Sequence, residues 1–411
     1  ISNCTSNGDV TANSGSYACA GGVCGENSAN SGTASISNCT SNGDVTANSG
    51  SYACAGGVCG ENSANSGTAS ISNCTSNGDV TANSGSYAYA GGVCGYNSDT
   101  ASISNCYWLK SNSSSATNGI GNGNGEATEK TADQFASGEV AWLLNQGQEN
   151  GPWRQNLGDS GDAFPVLDQS HDLVIRVNTN STSYYYNIAQ IPSPGGDQAY
   201  FDANDQHIDL ATHTFAANET IYLKTAVKVT VEYGNGTPDD VTYFVRDASN
   251  NYFKLPSAPT RTGYTFGGWS NGSTTHQPEA TVTITADTTV TAQWTANQYT
   301  VKFDANGGDG SISNQAFTYD VPQALTANTF TRTGYTFAGW NTAADGTGTA
   351  YADERQVSNL TAVSGGTVTL YAQWTANPYT VEFHANGGDG SIRNQAFTYD
   401  VPQALTANTF T

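Results

Sequence analysis

The sequence predicts a mainly β protein: a short parallel β-solenoid with a one-helix cap, followed by serial small β modules. Three observations carry that expectation. Residues 1–35 recur letter for letter as residues 36–70, and a third copy from Ile71 differs at Tyr89, at Tyr96 and in a stretch before Thr100 that is three residues shorter. Self-similarity at a fixed period is the signature of a stacked array, in which each unit buries its apolar edge against the next. The chain is rich in Gly, Asn, Ser and Thr and poor in Lys, Glu and Leu, which favours strands and tight turns over helices. Residues 298–331 return as 378–411 with four differences in 34 positions.

Residues 1–117 form the first array, with a partial fourth copy opening at Ile103. Each unit offers two strand-like pieces, Ile1–Ala12 and Tyr17–Gly25, with turns at Asn7-Gly8-Asp9 and over the six residues from Asn27. One unit has too few apolar residues for a core of its own. Stacked copies would pair strands in parallel at about 4.8 Å and align like residues in ladders.

Residues 118–170 change character. Gly119–Gly125 reads as a flexible loop, and Thr131-Ala-Asp-Gln134 fits a capping box. Phe135, Val140, Ala141, Leu143 and Leu144 follow at helical spacing, giving one helix over about 131–145. Trp142, Trp153, Phe164 and Leu167 add bulk that the array lacks, so this stretch is expected to cap the open end. Residues 171–227 read as an unassigned β segment, with strand candidates at Leu173–Val177, Tyr184–Ile188 and Glu219–Leu223 and a turn at Pro192–Gly196.

The second array is read as a divergent copy over 228–297, a complete one over 298–377 and a truncated one over 378–411. In the complete copy Tyr299, Val301 and Phe303 alternate with polar residues. Between copies the apolar positions persist while Lys302 becomes Glu382 and Asp304 becomes His384. One face therefore packs and the other meets solvent, and the exchanged charges share no chemistry.

The motif Ala20–Asn27 followed by Ile36-Ser-Asn-Cys39 resembles the GLUG motif of bacterial surface proteins. Gly21, Gly22, Val23, Cys24, Gly25 and Asn27 match its first part, with Cys24 in place of the usual Val. Ile36, Asn38 and Cys39 match the second part, and Gly43 and Val45 the third. Thr40 stands where that family has Tyr, which returns as Tyr107 in the last copy. Tyr299–Gly308, Arg332–Trp340 and Ala372–Thr375, with the divergent Arg261–Trp269 and Thr289–Trp294, look like the internalin-type B repeat of the Listeria-Bacteroides repeat family. The first resemblance implies extracellular display by a bacterium without catalysis. The second implies compact β-grasp-like modules in series between a cell-wall anchor and a binding domain.

Composition excludes several functions. The formal charge is −22, and the six Lys and seven Arg never cluster, so a phosphate backbone or an anionic membrane surface finds no positive footprint. No apolar run approaches the twenty or so residues of a membrane span. The sequence opens at a repeat boundary and stops inside another repeat, and is read as part of a longer protein whose address signals lie elsewhere.

The nine Cys follow the period: Cys4, Cys39, Cys74 and Cys106; Cys19 and Cys54; Cys24, Cys59 and Cys94. Either these are columns of small apolar side chains inside a solenoid, or Cys19–Cys24 and Cys54–Cys59 form disulfides or bind metal. Tyr89 stands where the third copy needs a partner for Cys94, and no His precedes His171, so buried free thiols are favoured over a zinc site.

Other candidates fail on pattern. Asp304–Gly310 lacks the EF-hand spacing and reads as a hairpin turn. Gly119–Gly125 has no G-K-[ST], and Ser170-His171-Asp172 has no nucleophile elbow. Lys228, Lys254 and Lys302 are candidates for isopeptide bonds to Asn, but Glu382 replaces Lys302 in the sister copy. Trp269, Trp294, Trp340 and Trp374 recur per module, which favours packing over sugar stacking. No catalytic, cofactor-binding or metal residue is assigned.

The expected function is that of a non-catalytic bacterial cell-surface repeat protein, extracellular or in the cell envelope, acting as a stalk or display scaffold. Its partners would be a host or neighbouring-cell surface protein or glycan, engaged through many weak contacts. There would be no nucleic acid, no cofactor and no membrane insertion within these residues. The alternatives are an accessory region of a secreted carbohydrate-active or proteolytic enzyme, or a glycan-binding module.

Overall fold

The computed structural model describes the chain except residues 99, 112, 149–150 and 247–250. It is mainly β and divides into two compact units, Ile1–Lys228 with Thr242–Asn251, and Val229–Val241 with Tyr252–Thr411.

In the first unit, successive copies lie on one another in parallel and in register. Val10 pairs with Val45 and Val45 with Val80; Ile36 pairs with Ile71 and Ile71 with Ile103. The first two copies contribute five strands each where the sequence suggested two: in the second copy these are Thr40–Ser41, Val45–Ser49, Tyr52–Gly56, Cys59–Ala64 and Thr68–Ser72. In the third copy the third and fourth of these fuse into Tyr87–Asn97. The six residues from Asn27, expected to turn, begin as strand, because Cys24–Ala29 runs on through them. The reason is Asn27 itself, which points inward and donates to Asn62 Oδ1 at 2.7 Å, as Asn62 does to Asn97. Outer ladders repeat the device, Asn42 donating to Asn7 and Asn77 to Asn42, each at 2.7 Å.

The interior is narrow. Ile36, Ile71, Val45, Val80, Cys39, Cys74, Cys59, Cys94 and a series of alanines fill it. Small residues are required where two rows of strands nearly touch. A Cβ on Gly60 would stand 2.6 Å from the carbonyl oxygen of Gly25 and 2.9 Å from the amide nitrogen of Ala20. Each copy also turns at an asparagine in the left-handed region: Asn3, Asn38, Asn73 and Asn105 have φ of 54°, 51°, 52° and 48°, a conformation that Asn tolerates better than most residues.

Residues 119–125 correct the sequence reading. All but the last two belong to a strand, Asn118–Gly123, paired in parallel with Tyr87–Asn97, and after a short connection Ala127–Lys130 pairs with Cys106–Leu109. Gly121 continues the column of Gly60 and Gly95, since a Cβ there would meet Gly95 O at 2.6 Å and Ala90 N at 2.8 Å. The glycines serve close strand approach, and stacking runs on to Lys130.

The single expected helix is two short ones, α1 (Ala132–Ala136) and α2 (Glu139–Leu144). The capping box at Thr131 and Gln134 is present in both directions. Gly138 separates the two helices at φ 86°, a left-handed conformation suited to glycine, and a Cβ there would meet Val174 at 2.9 Å and Leu157 at 3.0 Å. Phe135, Val140, Leu144 and Trp153 pack on Tyr107 and Leu109 of the last stacked strands, so the helices close that end of the core.

Beyond them Val174–Asn178 and Ser183–Asn187 form a hairpin. The first of these lies parallel to the start of a long strand, Thr220–Glu232, against which Gln198–Phe201 packs antiparallel. Ile175, Val177, Tyr200, Ile208 and Ile221 make its core. Gln198–Phe201 and His207–Ile208 carry little alternation and were invisible to the sequence reading.

The second unit repeats one plan. Gln298–Asp304 pairs parallel with Thr367–Ala376, which pairs antiparallel with Tyr335–Asn341, and Gln315–Thr318 forms the far edge. In the preceding copy Val229–Glu232 takes the first position, Thr288–Ala296 the second and Tyr264–Ser270 the third. Both copies shift register within this third strand, just before its Trp, where Gly268 and Gly339 hold φ of 118° and 138°. The alternation is as expected: Tyr299, Val301 and Phe303 are buried and Lys302 is exposed. Among the described residues these modules are strands and turns alone.

Candidate functional site

The surfaces the chain offers are repeated ones, and two are built by side chains that meet between copies. The first is the joint of the second unit. Asn297 donates its backbone N–H to Gly263 O at 2.8 Å and accepts from the Thr265 hydroxyl at 2.6 Å. Tyr319 of the following copy donates its N–H to Asn297 O at 2.9 Å. The next joint repeats each bond: Asn377 to Gly334 at 2.8 Å, Thr336 to Asn377 at 2.6 Å, Tyr399 to Asn377 at 3.0 Å. Tyr319 stands edge-on to Tyr264 at 6.0 Å, and Tyr399 to Tyr335 at 5.8 Å. Gly263 and Gly334 leave room for those rings, which a Cβ would meet at 2.2 Å and 2.3 Å. Arg261 and Arg332 cover the other faces of Tyr264 and Tyr335 at 3.8 Å and 3.9 Å.

The second surface lies on the outward side of the first unit. Along Tyr17–Gly21, Ala18 and Ala20 point into the core, so Tyr17 and Cys19 face out. Stacking the copies stacks these residues: Tyr17 lies over Tyr52 with ring centroids 4.8 Å apart and planes within 1°, and Cys19 pairs with Cys54. Glu61 reaches into the row, accepting from the Tyr17 hydroxyl and lying 3.7 Å from Cys19 Sγ. The Cys19 thiol is lowered, chiefly because Cys54 donates to it; Cys54 is pushed up by the same bond and by burial. Tyr17 is pushed up by burial and then by Glu61.

Comparison with known families follows this division. Residues 16–46 and 51–81 match the GLUG motif, and residues 212–293 and 299–373 match the Listeria-Bacteroides repeat domain. The chain carries both kinds of repeat. Over 134 residues it is 40% identical to Internalin H of Listeria monocytogenes, covering 31% of this chain and 22% of that protein. It is 36% identical over 141 residues to a protein of Evansella cellulosilytica named as a Gly-rich membrane protein, covering 31% of this chain and 16% of the relative. A second membrane protein of that organism matches at 35% over 127 residues, covering 30% of this chain and 18% of the relative. The aligned stretch thus spans about a fifth of the curated relatives or less. No helix among the described residues is long and apolar enough to cross a membrane.

The residues singled out in the sequence are placed as follows. Trp269 and Trp340 are fully buried in the Listeria-Bacteroides modules. Trp294 and Trp374, half-buried, donate their indole N–H to Tyr233 O at 2.8 Å and Ala305 O at 2.9 Å. Asp304 accepts from Asn306 N at 2.9 Å, and Asn306 donates to Ala344 O and Ala372 O, so this loop fastens to the body of its module. His171 sits between Asp162 and Asp168 at 3.5 Å and 3.6 Å, with exposed Ser170 at 3.4 Å. These are neighbours along one loop, not a triad assembled from separate elements. Lys254 lies 3.9 Å from Glu279 in an exposed ion pair.

All nine cysteines are free thiols; six are buried and Cys4, Cys19 and Cys24 are half-buried. The core columns of the GLUG repeats are as the sequence suggested. Cys19 stacks on Cys54 and Cys24 on Cys59, the columns expected from the period, although the Cys19–Cys54 column faces out and not into the core. The grouping of Cys19, Cys54 and Glu61 escaped sequence reasoning because its members come from two copies. The signal was present, however: Tyr89 and Tyr96 are the third copy's two departures over its aligned strands, and they replace that Cys and that Glu.

Proposed function

We propose that the chain is part of a non-catalytic bacterial surface protein, in which stacked GLUG repeats and serial Listeria-Bacteroides modules form a stalk that displays adhesive contacts outside the cell. The observation that carries this reading is the joint between modules, built twice from the same residues at matching positions. A joint that repeats itself sets a constant step from one module to the next, which suits an extended spacer. It does not suit a site, which needs unlike residues converging once. The relatives named as an internalin and as membrane proteins support the surface location. Many copies of a weak contact gain through avidity what a single copy lacks.

The test is antibody labelling of intact cells of the source bacterium with serum raised against residues 298–377, alongside protease shaving. Labelling before lysis, lost after shaving, is the expected result. An antigen reached only after lysis would overturn the surface reading. Removing whole modules in frame should then reduce attachment to host or neighbouring cells in proportion; unchanged attachment would overturn the adhesive part.

A further inference from the structure

We propose that Cys19, Cys54 and Glu61 form a binding site for one thiophilic divalent cation of the zinc class, between the first and second GLUG repeats. The two thiol sulfurs and a Glu61 carboxylate oxygen all lie within 4.8 Å of one another. Zinc–sulfur and zinc–oxygen bonds of about 2.3 and 2.1 Å set the edges of a tetrahedral site at about 3.6–3.8 Å. The 3.7 Å separation of Cys19 Sγ from Glu61 Oε2 is such an edge.

The surroundings suit an ion. Cys54 is fully buried and held by the parallel ladder, while Cys19 and Glu61 are half-buried. Tyr17, 49% exposed, stands beside the cluster and donates to Glu61. That hydroxyl would orient the carboxylate as outer partners of metal ligands do. On binding, each thiol releases its proton to solvent, so a 2+ ion meets two thiolates and one carboxylate. Binding therefore weakens as pH falls.

An internal comparison separates this cluster from cysteine used as filler. The inward columns keep Cys in each of the first three copies, at Cys24, Cys59 and Cys94 and at Cys4, Cys39 and Cys74, and the next layer adds Ile120 to the one and Cys106 to the other. On the outward face, the third copy exchanges Cys for Tyr89 and Glu for Tyr96 together. Their rings pack at 6.1 Å where a second triad would otherwise have formed with Cys54. Cysteine kept only for packing has no reason to change together with a carboxylate on another strand. Two ligands of one ion do.

The full chain, kept reduced with a phosphine, is titrated with Co2+ and then with Zn2+. One equivalent of Co2+ should give thiolate-to-cobalt charge transfer in the near ultraviolet and tetrahedral visible bands, both lost when Zn2+ displaces it. Cys19→Ser should abolish these bands, Tyr17→Phe should weaken binding about 10-fold, and Cys4→Ser or Cys24→Ser should change nothing. Should a buried change at Cys54 disturb folding, the double exchange Cys54→Tyr with Glu61→Tyr copies what the third repeat already accommodates. It should keep the β spectrum in circular dichroism and lose the ion. Absence of the bands in the parent chain, or bands that survive Cys19→Ser, would overturn the site.

Discussion

The hydroxyl of Tyr264 donates to the carboxylate of Asp320 in the following module at 2.9 Å, and Tyr335 does the same to Asp400 at 3.1 Å. Asp320 also accepts from the Asn359 side chain at 2.7 Å and presents its own N–H to it at 2.6 Å. The carboxylate is thereby tied to both sides of the joint.

This tie makes the joint acid-sensitive. The Asn359 side chain, and after it Tyr264, hold the Asp320 carboxyl below the usual range. A carboxyl depressed in the folded state contributes fully above its unfolded value of about 3.9, and the contribution is lost as pH falls through the lower folded value. Carboxyl carbon NMR should show Asp320 titrating below ordinary Asp. Asn359→Ala should move it back further than Tyr264→Phe; an ordinary value in the parent chain would refute the tie.

Asn62 tests the inner ladder. It donates to Asn97, accepts from Asn27 and is fully buried. Asn62→Ala removes the 2.7 Å acceptor of Asn27, which keeps only the longer bonds to Ala34 O and Ser70 O, and takes the donor from the Asn97 oxygen, a loss of about 1–3 kcal/mol. Asn48→Ala, in the solvent-side ladder through Asn13 and Asn83, should stay within about 0.5 kcal/mol. Denaturant titration of the two variants distinguishes them.

Gly60→Ala should destabilise the stack by about 1–3 kcal/mol through overpacking, because the new methyl meets backbone at 2.6 Å. Gly8→Ala meets nothing within 4 Å and should leave the melting temperature nearly unchanged. Equal effects would mean that the two rows of strands do not approach as described.

Trp340→Ala should cost about 3–5 kcal/mol, since its ring is fully buried among Phe303, Phe330 and Phe337. Trp374→Ala should cost less, the ring being half-buried. Unfolding followed by tryptophan fluorescence, read for the second unit, gives the comparison.

What was legible in the chain follows from what repetition records. Copies at fixed spacing announce stacking, and the alternation through Tyr299, Val301 and Phe303 announces which face packs. Thr131 and Gln134 announced the start of a helix correctly, because capping is local chemistry. Its interruption at Gly138 was not legible from helical spacing alone, although the space around that glycine is closed by Val174 and Leu157, distant in sequence. Gly119–Gly125 misled for the same reason: flexibility and close strand approach both call for glycine, and only the neighbouring strand decides between them. The number of strands in a copy was underestimated because pieces as short as Thr40–Ser41 carry no periodicity. Cys19 lies 35 residues from Cys54 and meets it and Glu61 only through the register of the stack.

The in-register pairing of Val10, Val45 and Val80 has a consequence for heredity. A gene with tandem identical blocks gains or drops whole blocks by slippage or unequal exchange. Because each layer asks of its neighbour only what that neighbour asks of the next, such an event leaves every remaining contact closed. Height can thus drift between generations without passing through an unfolded ancestor, while the solvent side of any one layer is free to acquire its own chemistry.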